Sequence, residues 1–183
     1  MHGRLERVGG LDPDLKVNLS KARVLLVYDN PRALDILSSA LSGLGVRNLK
    51  RCGGLEDAKQ MLARQQVDLI IADCDTQEFD VLDFVHWLRR SGLDENAFTP
   101  VMMVTSHTQI GRVKKARDCG ANFIVAKPLL PATLLERIVW VAQDPRAFVE
   151  VGTYVGPDRR HKMLPPPEEA GERRGAQSAK EAA

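Results

Sequence analysis

From Lys21 onward, short apolar runs alternate with stretches whose apolar residues recur every three or four positions. This is the pattern of strands followed by amphipathic helices. Residues 24–28, 67–72, 101–104 and 123–126 are apolar almost throughout, as expected for strands covered on both faces. A weaker strand falls near residues 46–52. Asn30 is placed to cap the first helix and Pro31 to fill its first turn, with Ala33, Ile36, Leu37, Ala40, Leu41 and Leu44 on one stripe and Gly43 and Gly45 at its end. Leu55, Ala58 and Leu62 share a face of the second helix. Val81, Phe84, Val85 and Leu88 are the buried stripe of the third, where Arg89 and Arg90 suit the C-terminus and Gly92 follows. A fourth helix over about residues 110–119 shows mainly a solvated face of Arg112, Lys114, Lys115 and Arg117, and a fifth over about 131–142 buries Leu134, Leu135, Ile138 and Val139. Five βα units predict an α/β fold: a doubly wound parallel sheet with right-handed crossovers and flavodoxin-like strand order 2-1-3-4-5.

The four strong runs are each followed closely by a polar residue of distinct chemistry: Asp29, Asp73, Thr105 and Lys127. The carboxyl ends of parallel strands open onto one crevice, so these four converge despite their separation along the chain. Two carboxylates, a hydroxyl and an ammonium gathered in one place fit phosphoryl chemistry.

Composition narrows the class. The chain has 183 residues, 44% of them hydrophobic, enough for one buried core with residues left for tails. With 26 basic and 24 acidic side chains the formal charge is +2, so no broad field draws the protein to nucleic acid or membrane. Cys52, Cys74 and Cys119 are odd in number and far apart, which fits neither a disulfide framework nor a zinc site. The apolar runs are strand-sized, short of the about 20 residues of a membrane span, and no signal-peptide stretch opens the chain. These features place the expected home in the cytoplasm.

Residues 24–30, Asp73 behind its apolar strand, Val104-Thr105-Ser106 and Lys127-Pro128 together resemble the receiver domain of CheY-like response regulators, over residues 20–143. The resemblance implies that Asp73 accepts a phosphoryl group from a histidine kinase or phosphotransfer protein, that Asp29 and Asp73 hold Mg2+, and that Thr105 and Lys127 contact phosphoryl oxygens. It also implies a cis Lys127-Pro128 peptide and a protein that signals by contact rather than as an enzyme. Several positions depart from the family pattern. Tyr28 stands where relatives carry a second acid, which predicts weaker magnesium binding; Gln77 and Val81 replace a proline and a glycine; and Ile124 occupies the place of the switching aromatic.

The ends divide into residues 1–19, read as a mobile lead-in, residues 144–162, read as a docking and arginine-bearing extension, and residues 163–183, a proline-rich and charged tail read as disordered. No helix-turn-helix pattern follows the receiver, so DNA is not an expected partner. Seven basic and seven acidic residues from 144 onward leave the extension neutral. Its paired arginines nevertheless resemble the arginine-rich extension of CheY-like effectors of cyclic di-GMP, which implies Arg146, Arg159, Arg160, Arg173 and Arg174 as nucleotide contacts, since guanidinium forks suit phosphate and the guanine edge. Three functions therefore stand: a phosphorylated single-domain response regulator, a cyclic di-GMP adaptor, and a phosphorylation-independent interaction module.

Overall fold

The structure, a computed structural model, describes residues 18–160 apart from 108 and 145. The expected lead-in, apart from residues 18 and 19, and the expected disordered tail lie outside the described residues. Strands β1 (Arg23–Val27), β2 (Asn48–Cys52), β3 (Leu69–Asp73), β4 (Val101–Thr105) and β5 (Phe123–Ala126) alternate with helices α1 (Pro31–Gly43), α2 (Leu55–Arg64), α3 (Val81–Arg90), α4 (Ile110–Asp118) and α5 (Pro131–Ala142). The strands are parallel in the order β2-β1-β3-β4-β5. This is the doubly wound topology that the alternating pattern predicts.

Burial explains why some strands were plain in the sequence. Every residue of β3 and β4 is buried, so both faces demand apolar side chains. At the edge of the sheet, β2 buries only Cys52 fully, and its weak signal follows. In α1, Asn30 Oδ1 accepts from the Arg32 and Ala33 amides at 3.0 and 3.3 Å, as a capping residue should. The buried stripe of that helix is Leu34, Leu37 and Leu41. Ile36, placed on the stripe by sequence, is 72% exposed; it lies one position off the line that meets the sheet. Among the described residues no helix is long and apolar enough to cross a membrane.

Arg89 lies in the last turn of α3, as the sequence suggests, and is 5% exposed. Its guanidinium donates to the carbonyls of Gly120, Ala97 and Thr99 and to Asn122 Oδ1 at 2.8–3.0 Å. Burial pushes its pKa down to about 10, so it remains charged at neutral pH. These partners precede β4 and β5, and Arg89 therefore ties together the amino-terminal end of the sheet.

Beyond α5, β6 (Phe148–Val151) and β7 (Tyr154–Pro157) form an antiparallel hairpin turning at Gly152, whose φ is +59°. It packs on that same end. Phe148 meets Phe98 edge-on at 5.4 Å and lies under the Arg89 guanidinium at 4.9 Å. Gly120, at φ +100°, lies so near β7 that a Cβ there would collide with the Val155 carbonyl, so only glycine fits.

Candidate functional site

The strand ends at the opposite edge of the sheet bring Asp73, Thr105 and Lys127 together. Register does this: Asp73 lies beside Val104, and Thr105 beside Ala126, one residue before Lys127. Asp73 and Thr105 are both buried. Lys127 Nζ donates to the two Asp73 carboxylate oxygens at 2.7 and 2.8 Å, and the Lys127-Pro128 peptide is cis. Burial works to lower the lysine's pKa, but its bonds to Asp73 and Asp75 and their charges outweigh this and hold it above the usual value.

Asp29 stands apart from this pairing, half-buried, with one oxygen reached by the Gln77 amide at 3.4 Å. Tyr28 is buried. Burial first, and then the charges of Asp73, Cys74 and Asp75, push its pKa far up, so it contributes a neutral phenol where a carboxylate would add charge. Among the described residues no group of three or more His, Cys, Asp or Glu is gathered to hold a metal. The oxygen donors of Asp29 and Asp73 still suit magnesium, which is commonly bound by one or two carboxylates together with water and phosphate oxygens.

The residue that sequence reasoning missed is Asp75. Its Oδ1 accepts from Thr105 Oγ1 at 2.7 Å, and its Oδ2 accepts from the Ser106 amide at 2.6 Å and the Ser106 hydroxyl at 2.7 Å. Lys127 Nζ lies 3.1 Å from the same Oδ2. Burial alone would raise the pKa of Asp75, but these bonds hold it well below the usual carboxylate range. An acid two positions past Asp73 was the available signal. Only the path of the loop turns it toward the end of β4, helped by the Asp75 amide donating to Asp73 Oδ1 at 3.0 Å.

Beside the site, a cavity of about 520 Å³ opens between the loop after β3 and α4, lined by Cys74, Phe79, Val81, Thr105, His107 and Ile124. Val81 is buried as the first residue of α3 and Gln77 is exposed. Burial, and then the neighbouring Asp73, push the Cys74 thiol up to about 12, so it stays protonated and unreactive.

Among the described residues, the arginines of the extension are bonded separately to partners within the chain. Arg146 pairs with Asp144 at 2.7 Å, donates to the Asn122 carbonyl at 3.0 Å and covers the Phe123 ring. Arg159 pairs with Asp118 at 2.6 Å and stacks 3.7 Å from the Tyr154 ring centre. Arg160 is 82% exposed along its side chain and bonds to Asp158. Arg173 and Arg174 lie outside the described residues. Arg159 thus ties the hairpin to the end of α4, and Arg146 packs at the start of β5, each held by partners within the chain.

Comparison with known proteins agrees with this geometry. The model of the response regulator receiver domain matches residues 24–139. A probable chemotaxis protein CheY of Rhizobium etli is 28% identical over 108 residues, covering 59% of this chain and 82% of that protein. Chemotaxis protein CheY-3 of Vibrio cholerae is 25% identical over 116 residues, covering 63% and 88%. Among solved structures, Vibrio cholerae CheY4 is similar at 26% identity with a TM-score of 0.61, covering 66% of this chain and 98% of that one. The receiver domain of the Pseudomonas aeruginosa sensor histidine kinase PA1611, which has a magnesium ion coordinated in its active-site cleft, is similar at 26% identity with a TM-score of 0.59, covering 67% and 98%. The family match runs from the first strand into the last helix of the α/β fold, and the chain belongs to the response regulator receiver domain family of two-component signalling.

Proposed function

We propose that this receiver is a single-domain response regulator switched by phosphorylation of Asp73, with the phosphoryl group supplied by a phosphohistidine of a histidine kinase or phosphotransfer protein, and that it signals through contact with a protein target. The observation that carries this reading is the Asp73 carboxylate, buried at the strand ends and gripped by the Lys127 ammonium through both oxygens. An Asp73 oxygen attacks phosphorus. The new O–P bond forms as the P–N bond breaks, and the electron pair stays on the imidazole nitrogen. The product is an aspartyl phosphate, and the donor imidazole leaves neutral after taking up a proton. Asp73 is consumed once per event, so this is a switch and not a conventional enzyme.

The residues around Asp73 have separable roles. Lys127 transfers its donor bonds from the free carboxylate to a phosphoryl oxygen, and the Thr105 hydroxyl serves another. Asp29 and Asp73 are the magnesium ligands. Bound there, magnesium supplies charge that offsets the repulsion between carboxylates and the incoming anion. With Tyr28 neutral, one fewer anionic ligand holds it, and a higher magnesium concentration is required. The solved Pseudomonas receiver with magnesium in its cleft supports this choice of ion.

The test is to incubate the full chain with phosphoramidate and magnesium and read its intact mass. One phosphoryl adduct on the wild type and none on Asp73→Asn is the expected result. A wild-type chain that acquires none, over any magnesium concentration, overturns the reading in favour of a receiver fold acting by contact alone.

A further inference from the structure

The Thr105 hydroxyl and the Lys127 ammonium, assigned above to a phosphoryl group, already hold an anion, and the neighbouring Ser106 holds the same one. Thr105 has one O–H, and it is given to Asp75 Oδ1 at 2.7 Å while its oxygen accepts from the His107 amide at 3.0 Å. The Ser106 amide has one N–H, and it is given to Asp75 Oδ2 at 2.6 Å, as is the Ser106 hydroxyl at 2.7 Å. Lys127 divides its ammonium between Asp73 and Asp75. A hydroxyl or an amide donates one hydrogen at a time, so these bonds cannot be kept for Asp75 and also made to a phosphoryl oxygen. Asp75 is also 14% exposed along its side chain, so little water competes for its place.

We infer that Asp75 is a resident anion in the phosphoryl-oxygen site, which phosphorylation of Asp73 must displace. The inference rests on the proposed phosphorylation reading and adds a positioning residue to it. Two consequences follow from the geometry. The resting protein already makes the Thr105 contact with an anion, so phosphorylation exchanges one anion for another instead of creating that contact. Displacing Asp75 also breaks the bonds that tie the loop joining β3 to α3 to Thr105 and Ser106, and this loop lines the cavity beside Ile124; the switch is thereby delivered to the loop, without an aromatic side chain at 124.

The experiment is a beryllofluoride titration of the full chain with magnesium, followed by amide NMR, on the wild type, Asp75→Asn and Asp75→Ser. Beryllofluoride binds an aspartate as a phosphoryl mimic. Asp75→Asn keeps the side-chain shape and an acceptor oxygen but removes the charge, and Asp75→Ser shortens the side chain, so one of them reports even if the other fails to fold. The expected result is about tenfold tighter binding in the variants, the scale of one charge-assisted hydrogen bond released. The Ser106 amide should resonate downfield in the resting wild type, move upfield in the variants, and return downfield only when beryllofluoride is added. Equal affinity in wild type and variants overturns the resident-anion inference and leaves phosphorylation of Asp73 intact. Weaker binding in the variants also overturns it, because Asp75 then assists the phosphoryl group. No binding by any of the three folded chains overturns the phosphorylation reading, and this inference with it.

Discussion

Each end of the parallel sheet engages a basic side chain, Arg89 buried at one and Lys127 half-buried at the other, and the two ends treat it in opposite ways. At the amino-terminal end, Arg89 is enclosed by four neutral oxygens and an aromatic ring, and each of its three guanidinium nitrogens has a partner. At the carboxyl end, the Lys127 ammonium is shared between Asp73 and Asp75. In the first arrangement every guanidinium nitrogen is already used within the chain. In the second, one ammonium is shared by two carboxylates, so its bonds can be exchanged for those of an incoming anion. Burial of a charge marks function only where its surroundings leave bonds to be exchanged.

The largest effect should come from opening the Arg89 end. Arg89→Met leaves the carbonyls of Gly120, Ala97 and Thr99 without their guanidinium donor and Asn122 Oδ1 with the Val101 amide alone, and should cost roughly 3–5 kcal/mol in a urea unfolding experiment, while the folded fraction still takes up phosphoryl groups at Asp73. If the loss falls on phosphorylation instead of stability, the two ends are coupled and the contrast fails. Gly120→Ala should cost about 1–3 kcal/mol, because it combines a left-handed backbone with a collision against Val155. Amide exchange should show β6 and β7 losing protection before the main sheet does.

Acid offers a smaller probe of the same end. Asp68 accepts from Arg23 at 2.7 Å, and the side-chain bond to Arg23 holds its carboxyl below the ordinary value even though burial opposes this. Because the folded pKa is the lower one, the pair stabilises the protein above the ordinary aspartate pKa, and that contribution disappears as pH falls through the depressed value. Asp68→Asn should therefore flatten the acid limb of stability against pH, followed by circular dichroism, and leave the neutral limb nearly unchanged apart from a small loss. Both partners are about half exposed, so solvent keeps this effect modest. The smallest effect belongs to Arg160→Ala. Exposed and paired only with Asp158, it should leave the urea midpoint unchanged within error.

Much of the candidate site was legible in the sequence. Asp73, Thr105 and Lys127 each follow an apolar run, and parallel strands covered on both faces make such runs conspicuous. The helix stripes were legible for the same reason: Val81, Phe84, Val85 and Leu88 recur with the helical period and are all buried. Ile36 shows the limit, since periodicity says that a stripe exists while the sheet decides which line of it is covered. The weak reading of β2 is another limit, because an edge strand with one fully buried residue has no pattern to display.

Arg89 and Asp75 could not be read at all from local pattern. An arginine at a helix end and an aspartate in a loop are ordinary surface residues until distant segments arrive: Gly120 and Asn122 for one, Thr105, Ser106 and Lys127 for the other. The amino-acid sequence by itself determined the five βα units, their sheet topology and the residues at the strand ends, because those follow from hydrophobic periodicity along a continuous stretch of chain, whereas the β6–β7 hairpin came only with the structure. Only the tertiary structure decided which charges are paired, which donors are spent and which arginines are internal, because hydrogen bonds are short-ranged and directional and join residues that the chain keeps far apart.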